Sequence, residues 1–192
     1  MAIEYQSFYF FNFFITLTII HINIPSIVPV VWKSPTENWV KFNTDGSVHN
    51  SLAACKGLFY DHRGTFLGCF ASNLGAISVF EAEFTCLSLA LEYAARFNWC
   101  WLWLQSDYTS AVFAFKNPSL IPFRLRNRWY NCFQLGSTVV CSHIYREWNW
   151  CAYLLAAHGH SLVGSVWLDL MTSKLSLDFF MDRNGLPNFR FP

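Results

Sequence analysis

The chain is short of charged residues. Only 13% of its 192 residues are Asp, Glu, Lys or Arg, and the formal net charge is +1. With a pI near 7.6 there is no long-range positive field, so any binding of nucleic acid depends on a local patch. Hydrophobic residues make up 54% of the chain, which is enough for one packed domain and disfavours a disordered chain.

No Cys-x-x-Cys pair occurs among the seven cysteines, whose number is odd. Many zinc sites use closely spaced cysteines, so a zinc site is disfavoured. The pairs Cys141-x-His143 and His158-x-His160 match no usual zinc-site spacing. The sequence therefore predicts reduced thiols, most of them buried as small hydrophobic side chains.

No charged residue stands between Tyr5 and Trp32. The apolar run over residues 8–24 is near the lower length limit for a membrane-spanning helix. A signal peptide needs a basic start and a small-residue cleavage site, and neither is present. Phe and β-branched residues dominate the run, so an extra strand or an aggregation-prone segment is also compatible. We interpret residues 1–32 as a leader outside the domain, with a membrane anchor as the alternative.

Hydrophobic periodicity predicts a series of strands followed by a long helix. Alternating apolar and polar residues predict a strand at residues 39–47. Two further strands, at residues 56–60 and 65–71, are predicted on either side of a hairpin turn at residues 61–64. Residues 78–97 then carry an apolar stripe at helical spacing. Ser78 and Glu81 form a capping-box pattern at the start of this helix. Three strands in succession indicate an antiparallel meander, and the helix after them indicates a crossover connection.

The remaining elements complete an α/β domain. A continuous apolar run at residues 99–105 predicts a central strand covered on both faces. The further predictions are helices at 108–115 and 125–135, a strand at 137–144 and a last helix at 149–157. The order βββαβα(α)βα predicts a mixed five-stranded sheet with helices on its faces. We assign residues 33–160 to this domain and residues 161–192, which carry no recognisable motif, to a C-terminal extension.

Three acidic residues stand at positions where this topology brings chain segments together. They are Asp45 in Phe-Asn-Thr-Asp-Gly-Ser, Glu83 in Phe-Glu-Ala-Glu-Phe and Asp107 in Leu-Gln-Ser-Asp. Carboxylate oxygens suit Mg²⁺, and paired divalent ions support phosphodiester hydrolysis. Each acid also has a structural interpretation, as a turn residue, a helix-dipole partner or an N-cap. Spacing alone does not decide between the two.

These motifs, together with Arg146-Glu147-x-Asn149-x-x-Ala152, resemble the ribonuclease H domain of plant proteins derived from non-LTR retrotransposons. The resemblance implies a ribonuclease H-like fold and cleavage of RNA in RNA–DNA hybrids with two Mg²⁺ or Mn²⁺ ions. It implies that Asp45 bridges both ions and that Glu83 and Asp107 complete the one on the leaving-group side.

The fourth metal ligand implied by the resemblance falls at Tyr153, where the family has an acid. The missing acid would hold the ion that activates the attacking water, and a neutral phenol is a poor ligand for Mg²⁺. We therefore expect an impaired hybrid ribonuclease. The alternative is an inactive remnant that still binds RNA–DNA hybrid or another nucleic acid.

Contacts with nucleic acid are predicted at six positions: Asn43, Thr44, Gly46, Ser47, Arg124 and Arg128. The first four flank Asp45 and offer hydrogen-bond donors to a hybrid recognised by its shape. The two arginines are helical neighbours in a stretch that mixes basic and aromatic residues, which suits a phosphate backbone. A solvated helix face is the alternative for this stretch. We expect a monomer in the nucleus or cytoplasm, with membrane anchoring through residues 8–24 as the alternative.

Overall fold

The computed structural model describes residues 28–30, 32–149, 159–170, 179–180, 184 and 188–190. The apolar run at 8–24, Tyr153 and all of the last predicted helix except Asn149 lie outside these residues. Among the described residues, no helix is both long enough and apolar enough to cross a membrane.

The described residues form eight strands and three α-helices. The strands are β1 (Val28–Val30), β2 (Val40–His49), β3 (Leu52–Tyr60), β4 (Phe66–Gly75), β5 (Trp101–Ser106), β6 (Thr138–His143), β7 (Ser165–Leu168) and β8 (Asn188–Arg190). The helices are α1 (Val79–Arg96), α2 (Thr109–Lys116) and α3 (Phe123–Phe133). Each predicted strand and helix within the described region is present, with ends shifted by a few residues.

The main sheet has six strands in the order β6-β5-β2-β3-β4-β7. Strands β2, β3 and β4 form the predicted antiparallel meander, whereas β5 and β6 run parallel to β2. The α/β ribonuclease H-like architecture is therefore confirmed. A separate two-stranded pairing joins β1 to β8.

The prediction of five strands was wrong by one. Strand β7 comes from the predicted C-terminal extension and pairs antiparallel with β4. Its Trp167 packs among Phe59, Tyr93, Phe97 and Trp99, with ring centroids 4.7–6.4 Å away. The four-residue segment is too short to show a strand pattern, so tertiary aromatic packing rather than local sequence determines this strand.

Helix α1 covers one face of the sheet, and its capping and packing define the position of its first turns. Ser78 caps the helix, and the reciprocal bonds between Ser78 and Glu81 form the predicted capping box. The ring of Phe84 packs on Trp129 of α3, with centroids 4.9 Å apart. Because capping defines where α1 starts and aromatic packing defines how it lies, Glu83 in the second turn is held at a fixed position against β2.

Candidate metal centre

Asp45 lies within β2, between β3 on one side and β5 on the other. The next residue, Gly46, lies directly beneath the start of α1. A Cβ atom at Gly46 would come within 2.7 Å of the backbone nitrogen of Glu83, closer than nonbonded atoms pack. Glycine at this position therefore lets the helix approach the strand, and this approach brings Glu83 to Asp45.

Asp107 reaches the same place from the neighbouring parallel strand. Thr44 and Ser106 are partners in the register of β2 and β5, so Asp45 and Asp107, one residue further along, continue side by side. One carboxylate oxygen from each of Asp45, Glu83 and Asp107 lies within 4.8 Å of the others. Three converging carboxylates suit a divalent cation such as Mg²⁺ or Ca²⁺, and we call them the carboxylate cluster.

Two basic side chains and one hydroxyl contact the carboxylate cluster. The ammonium nitrogen of Lys56 lies 2.7 Å from Oδ2 of Asp45, and the Lys56 side chain is fully buried. Arg146 donates from Nε to Oδ2 of Asp107 at 3.0 Å, but its own side chain is 80% exposed. Ser106 donates its hydroxyl to Oε2 of Glu83 at 3.2 Å. Lys56 thus acts from inside the protein and Arg146 from the solvent side.

Burial makes ionisation of two members of the cluster unfavourable. It raises the pKa of Glu83 well above its ordinary value of 4.5, and the nearby Asp45 carboxylate adds to the increase. Burial also raises the pKa of Asp45 from 3.8, although the Lys56 ammonium acts in the opposite direction. A site with these properties attracts cations and protons, because either relieves the repulsion between buried carboxylates.

The four predicted contact residues around Asp45 differ in accessibility. The side chains of Asn43 and Thr44 are buried, and Gly46 is covered by α1. Ser47 is partly exposed, and its hydroxyl lies 3.0 Å from Nε2 of His160. Of the four, Ser47 is therefore the one whose side chain a ligand can reach in this structure.

The two predicted basic contacts on α3 also differ. Arg128 forms a bidentate ion pair with Glu92 of α1 through Nε and Nη2, at 2.6 and 2.7 Å. This pair fastens α3 to α1, so the Arg128 guanidinium is already engaged within the protein. Arg124 is exposed on the same helix. The role of both arginines in nucleic-acid binding stays a prediction, and it is Arg124 that faces solvent.

Sequence reasoning missed Lys56 as a member of the site. Its signal lay in the register of the β2–β3 hairpin, which places Lys56 directly opposite Asp45. The sequence does not mark clearly where β2 ends and β3 begins, so the local pattern alone does not determine which residues of the two strands pair. Arg146 belonged to a recognised motif, but its ion pair with Asp107 depends on the chain path after β6 and has no local signal.

Comparison with known proteins shows the family and the fold of the chain. The sequence model of the family described as "Reverse transcriptase-like" matches residues 43–159, which include the whole carboxylate cluster. The chain belongs to the reverse transcriptase-like family. It is also 29% identical over 153 residues to an Arabidopsis thaliana protein named as a candidate ribonuclease H protein, and it spans about a quarter of that relative's length (24%).

Solved structures similar to this reverse transcriptase-like chain share its fold. Ribonuclease H1 from Halobacterium salinarum has a TM-score of 0.56 at 22% identity, over 63% of this chain and 96% of that one. The LC11 ribonuclease H1, isolated from compost and solved with an RNA/DNA hybrid, also has a TM-score of 0.56 at 19% identity, over 62% of this chain and 95% of that one. The prototype foamy virus protease–reverse transcriptase scores 0.51 at 16% identity, over 65% and 21%. At these identities the similarity establishes the fold alone.

Removal of the Glu83 charge should stabilise the metal-free protein. The folded state holds the proton of Glu83 more tightly than the unfolded state, so stability falls as pH rises from about 4.5 through the raised folded pKa. We expect Glu83→Gln to raise the free energy of unfolding by on the order of 1–2 kcal/mol at about pH 8, with the gain shrinking toward acid. The difference in the free energy of unfolding between variant and parent is measured by urea unfolding in the presence of a metal chelator.

The matched control is Glu92→Gln, which removes a glutamate of the same helix whose partner is Arg128. This change should leave stability unchanged or lower it. A Glu83→Gln protein that is less stable than the parent at about pH 8 would show that the buried carboxylate does not carry this cost.

Proposed function

We propose that the chain is a ribonuclease H-type hydrolase that binds RNA–DNA hybrids and cuts the RNA strand slowly with a divalent ion, Mg²⁺ or Mn²⁺. The observation that carries this proposal is the convergence of Asp45, Glu83 and Asp107 from β2, α1 and the end of β5. Three carboxylates that are far apart in sequence meet at one place, inside a domain of the reverse transcriptase-like family.

The cluster provides what phosphodiester hydrolysis requires from the protein. Asp45, Glu83 and Asp107 would hold the cation through their oxygens. A bound divalent ion would polarise the phosphate and lower the pKa of an attacking water. Arg146, exposed beside Asp107, has the planar fork that suits a phosphate oxygen and can exchange one anionic partner for another. Ser47 offers a hydroxyl at the same edge.

The hybrid as substrate is supported by similarity rather than by charge. The formal net charge of +1 gives no general attraction to polyanions, so the exposed residues Arg124 and Arg146 would have to supply local contacts. The LC11 ribonuclease H1, which has this fold, was solved with an RNA/DNA hybrid. The plant retroelement origin, the monomeric state and the location in nucleus or cytoplasm stay predictions.

A second candidate function is hybrid binding without hydrolysis. The Lys56 ammonium on Asp45 favours it, because a resident positive charge competes with a metal ion for that carboxylate. Tyr153, at the position where the resemblance calls for an acid, favours it as well. The Lys56 side chain is fully buried and is no part of a surface that could contact a duplex, so binding can persist where cleavage is lost.

Cleavage of a labelled RNA–DNA hybrid by the full chain tests the proposal. The parent should cut slowly in Mg²⁺ or Mn²⁺, and Asp45→Asn should abolish cutting. Mutation of a residue that only contacts a metal ligand changes metal affinity or activity about 10–100-fold. Tyr153→Asp restores a ligand itself, so we expect it to raise the cleavage rate by at least about tenfold. Tyr130→Asp, the same change at an exposed position of α3, is the control and should not.

The outcomes separate the two candidate functions. Hybrid binding by folded parent and Tyr153→Asp proteins, with no cleavage by either, would replace the hydrolase by the binding protein. Absence of both binding and cleavage in every folded variant would contradict both functions.

Reversal of one surface charge tests the predicted contact of α3. Arg124→Glu should weaken hybrid binding and reduce the salt slope by about one to two counterions, because a phosphate contact is replaced by repulsion. Binding is measured by fluorescence anisotropy at several salt concentrations. Arg63→Glu makes the same change in the exposed turn after β3. Equal effects of the two substitutions would show that Arg124 acts only through net charge.

A further inference from the structure

Lys56 is the buried neighbour of the carboxylate cluster. Its side chain has no exposed surface, and its ammonium nitrogen lies 2.7 Å from Oδ2 of Asp45. A buried ammonium is unfavourable unless a charged partner compensates it. Asp45 is that partner, and the two residues face each other in the register of adjacent antiparallel strands. The contact is therefore built into the sheet and does not depend on a flexible surface side chain.

Asp45 has a different neighbour on each side. From β5 comes Asp107, and α1 brings Glu83 to the same group of oxygens. From β3 comes Lys56. A cation shared by Asp45, Glu83 and Asp107 would have three carboxylates as neighbours. A second cation on Asp45 from the β3 side would meet the ammonium, and positive charges within ~4 Å repel strongly where water is scarce.

Lys56 differs from the other basic group at the cluster. The Arg146 side chain is 80% exposed, so its guanidinium stays hydrated when it leaves Asp107. Lys56 cannot leave Asp45 without becoming an uncompensated buried charge. At the sequence level Tyr153 has the same consequence as Lys56: it supplies no negative charge where the resemblance expects one. Both residues leave less net negative charge available to hold a second divalent ion.

We propose that the ammonium of Lys56 takes the place of a second metal ion at the carboxylate cluster. Lys56 thereby limits the cluster to at most one divalent ion, held on the side of Glu83 and Asp107. This inference rests on the proposed function for the identity of the site. It extends that function by naming Lys56 as the residue that determines how many divalent ions the site holds. It also makes Lys56, rather than Tyr153 alone, a determinant of slow hydrolysis.

Mn²⁺ binding to the full chain without nucleic acid tests the proposal. Mn²⁺ serves as the probe, and electron paramagnetic resonance counts the free ion. The parent should bind no more than one ion at the cluster. Lys56→Met keeps an apolar chain of similar length and removes the charge, so it should bind Mn²⁺ about tenfold more tightly or more, or take up a second ion. Adding Asp107→Asn should remove the gain.

Lys41→Met is the matched control. Like Lys56, Lys41 is buried, but it lies in β2. Its ammonium lies over the rings of Trp32 and Trp103 and donates to the backbone carbonyl of Lys33. It stands four residues before Asp45, about 13 Å along the strand. Its replacement removes a buried lysine of the same sheet and should leave Mn²⁺ binding as in the parent. Circular dichroism confirms that each variant is folded.

Two results would overturn the proposal. One is uptake of two Mn²⁺ ions by the parent, both lost in Asp45→Asn, and this result is decisive even if Lys56→Met does not fold. The other is a folded Lys56→Met protein that binds Mn²⁺ with the number and affinity of the parent. Because no hybrid is present, a failure of hydrolysis leaves this test intact, and a failure of this test leaves hybrid binding unaffected.

Discussion

Compensation of buried negative charge is the constraint on which the site depends. Asp45, Glu83 and Asp107 meet where little solvent reaches them, and carboxylates in that setting repel one another and lose hydration. The protein compensates on one side with the buried ammonium of Lys56 and on the other with the exposed guanidinium of Arg146. What remains is a preference for a cation, and this preference is the basis of the proposed chemistry.

The rest of the domain holds these charges in place against their repulsion. On the α1 face of the sheet, Phe42 stacks on Phe70 and Phe84 packs on Trp129. Apolar burial of this kind stabilises by about 25 cal/mol per Å², and it is concentrated on the face that positions the first turns of α1. Gly46 then allows the helix to reach the strand. An apolar core thus supports a small polar site that is unfavourable by itself.

The fold was predictable from sequence because its signals are local. Strand alternation, the capping box of Ser78 and Glu81, and the apolar run of the central strand each depend on neighbouring residues. The three acids of the cluster were found because their motifs resemble one family. Lys56 was not found, because its role depends on a cross-strand register. Strand β7 was not found either, because the packing of Trp167 determines it. Residues such as these become visible only when distant segments are placed together.

A double-mutant cycle between Asp45 and Lys56 tests the central claim most directly. The free energies of unfolding of the parent, Asp45→Asn, Lys56→Met and the double variant are compared by urea unfolding in chelator. Removing one partner of a buried pair costs about 3–5 kcal/mol. The account therefore predicts that each single substitution destabilises strongly, and that the double variant recovers at least about 2 kcal/mol relative to their sum. Additive losses would show that Lys56 does not compensate Asp45 and would contradict the account.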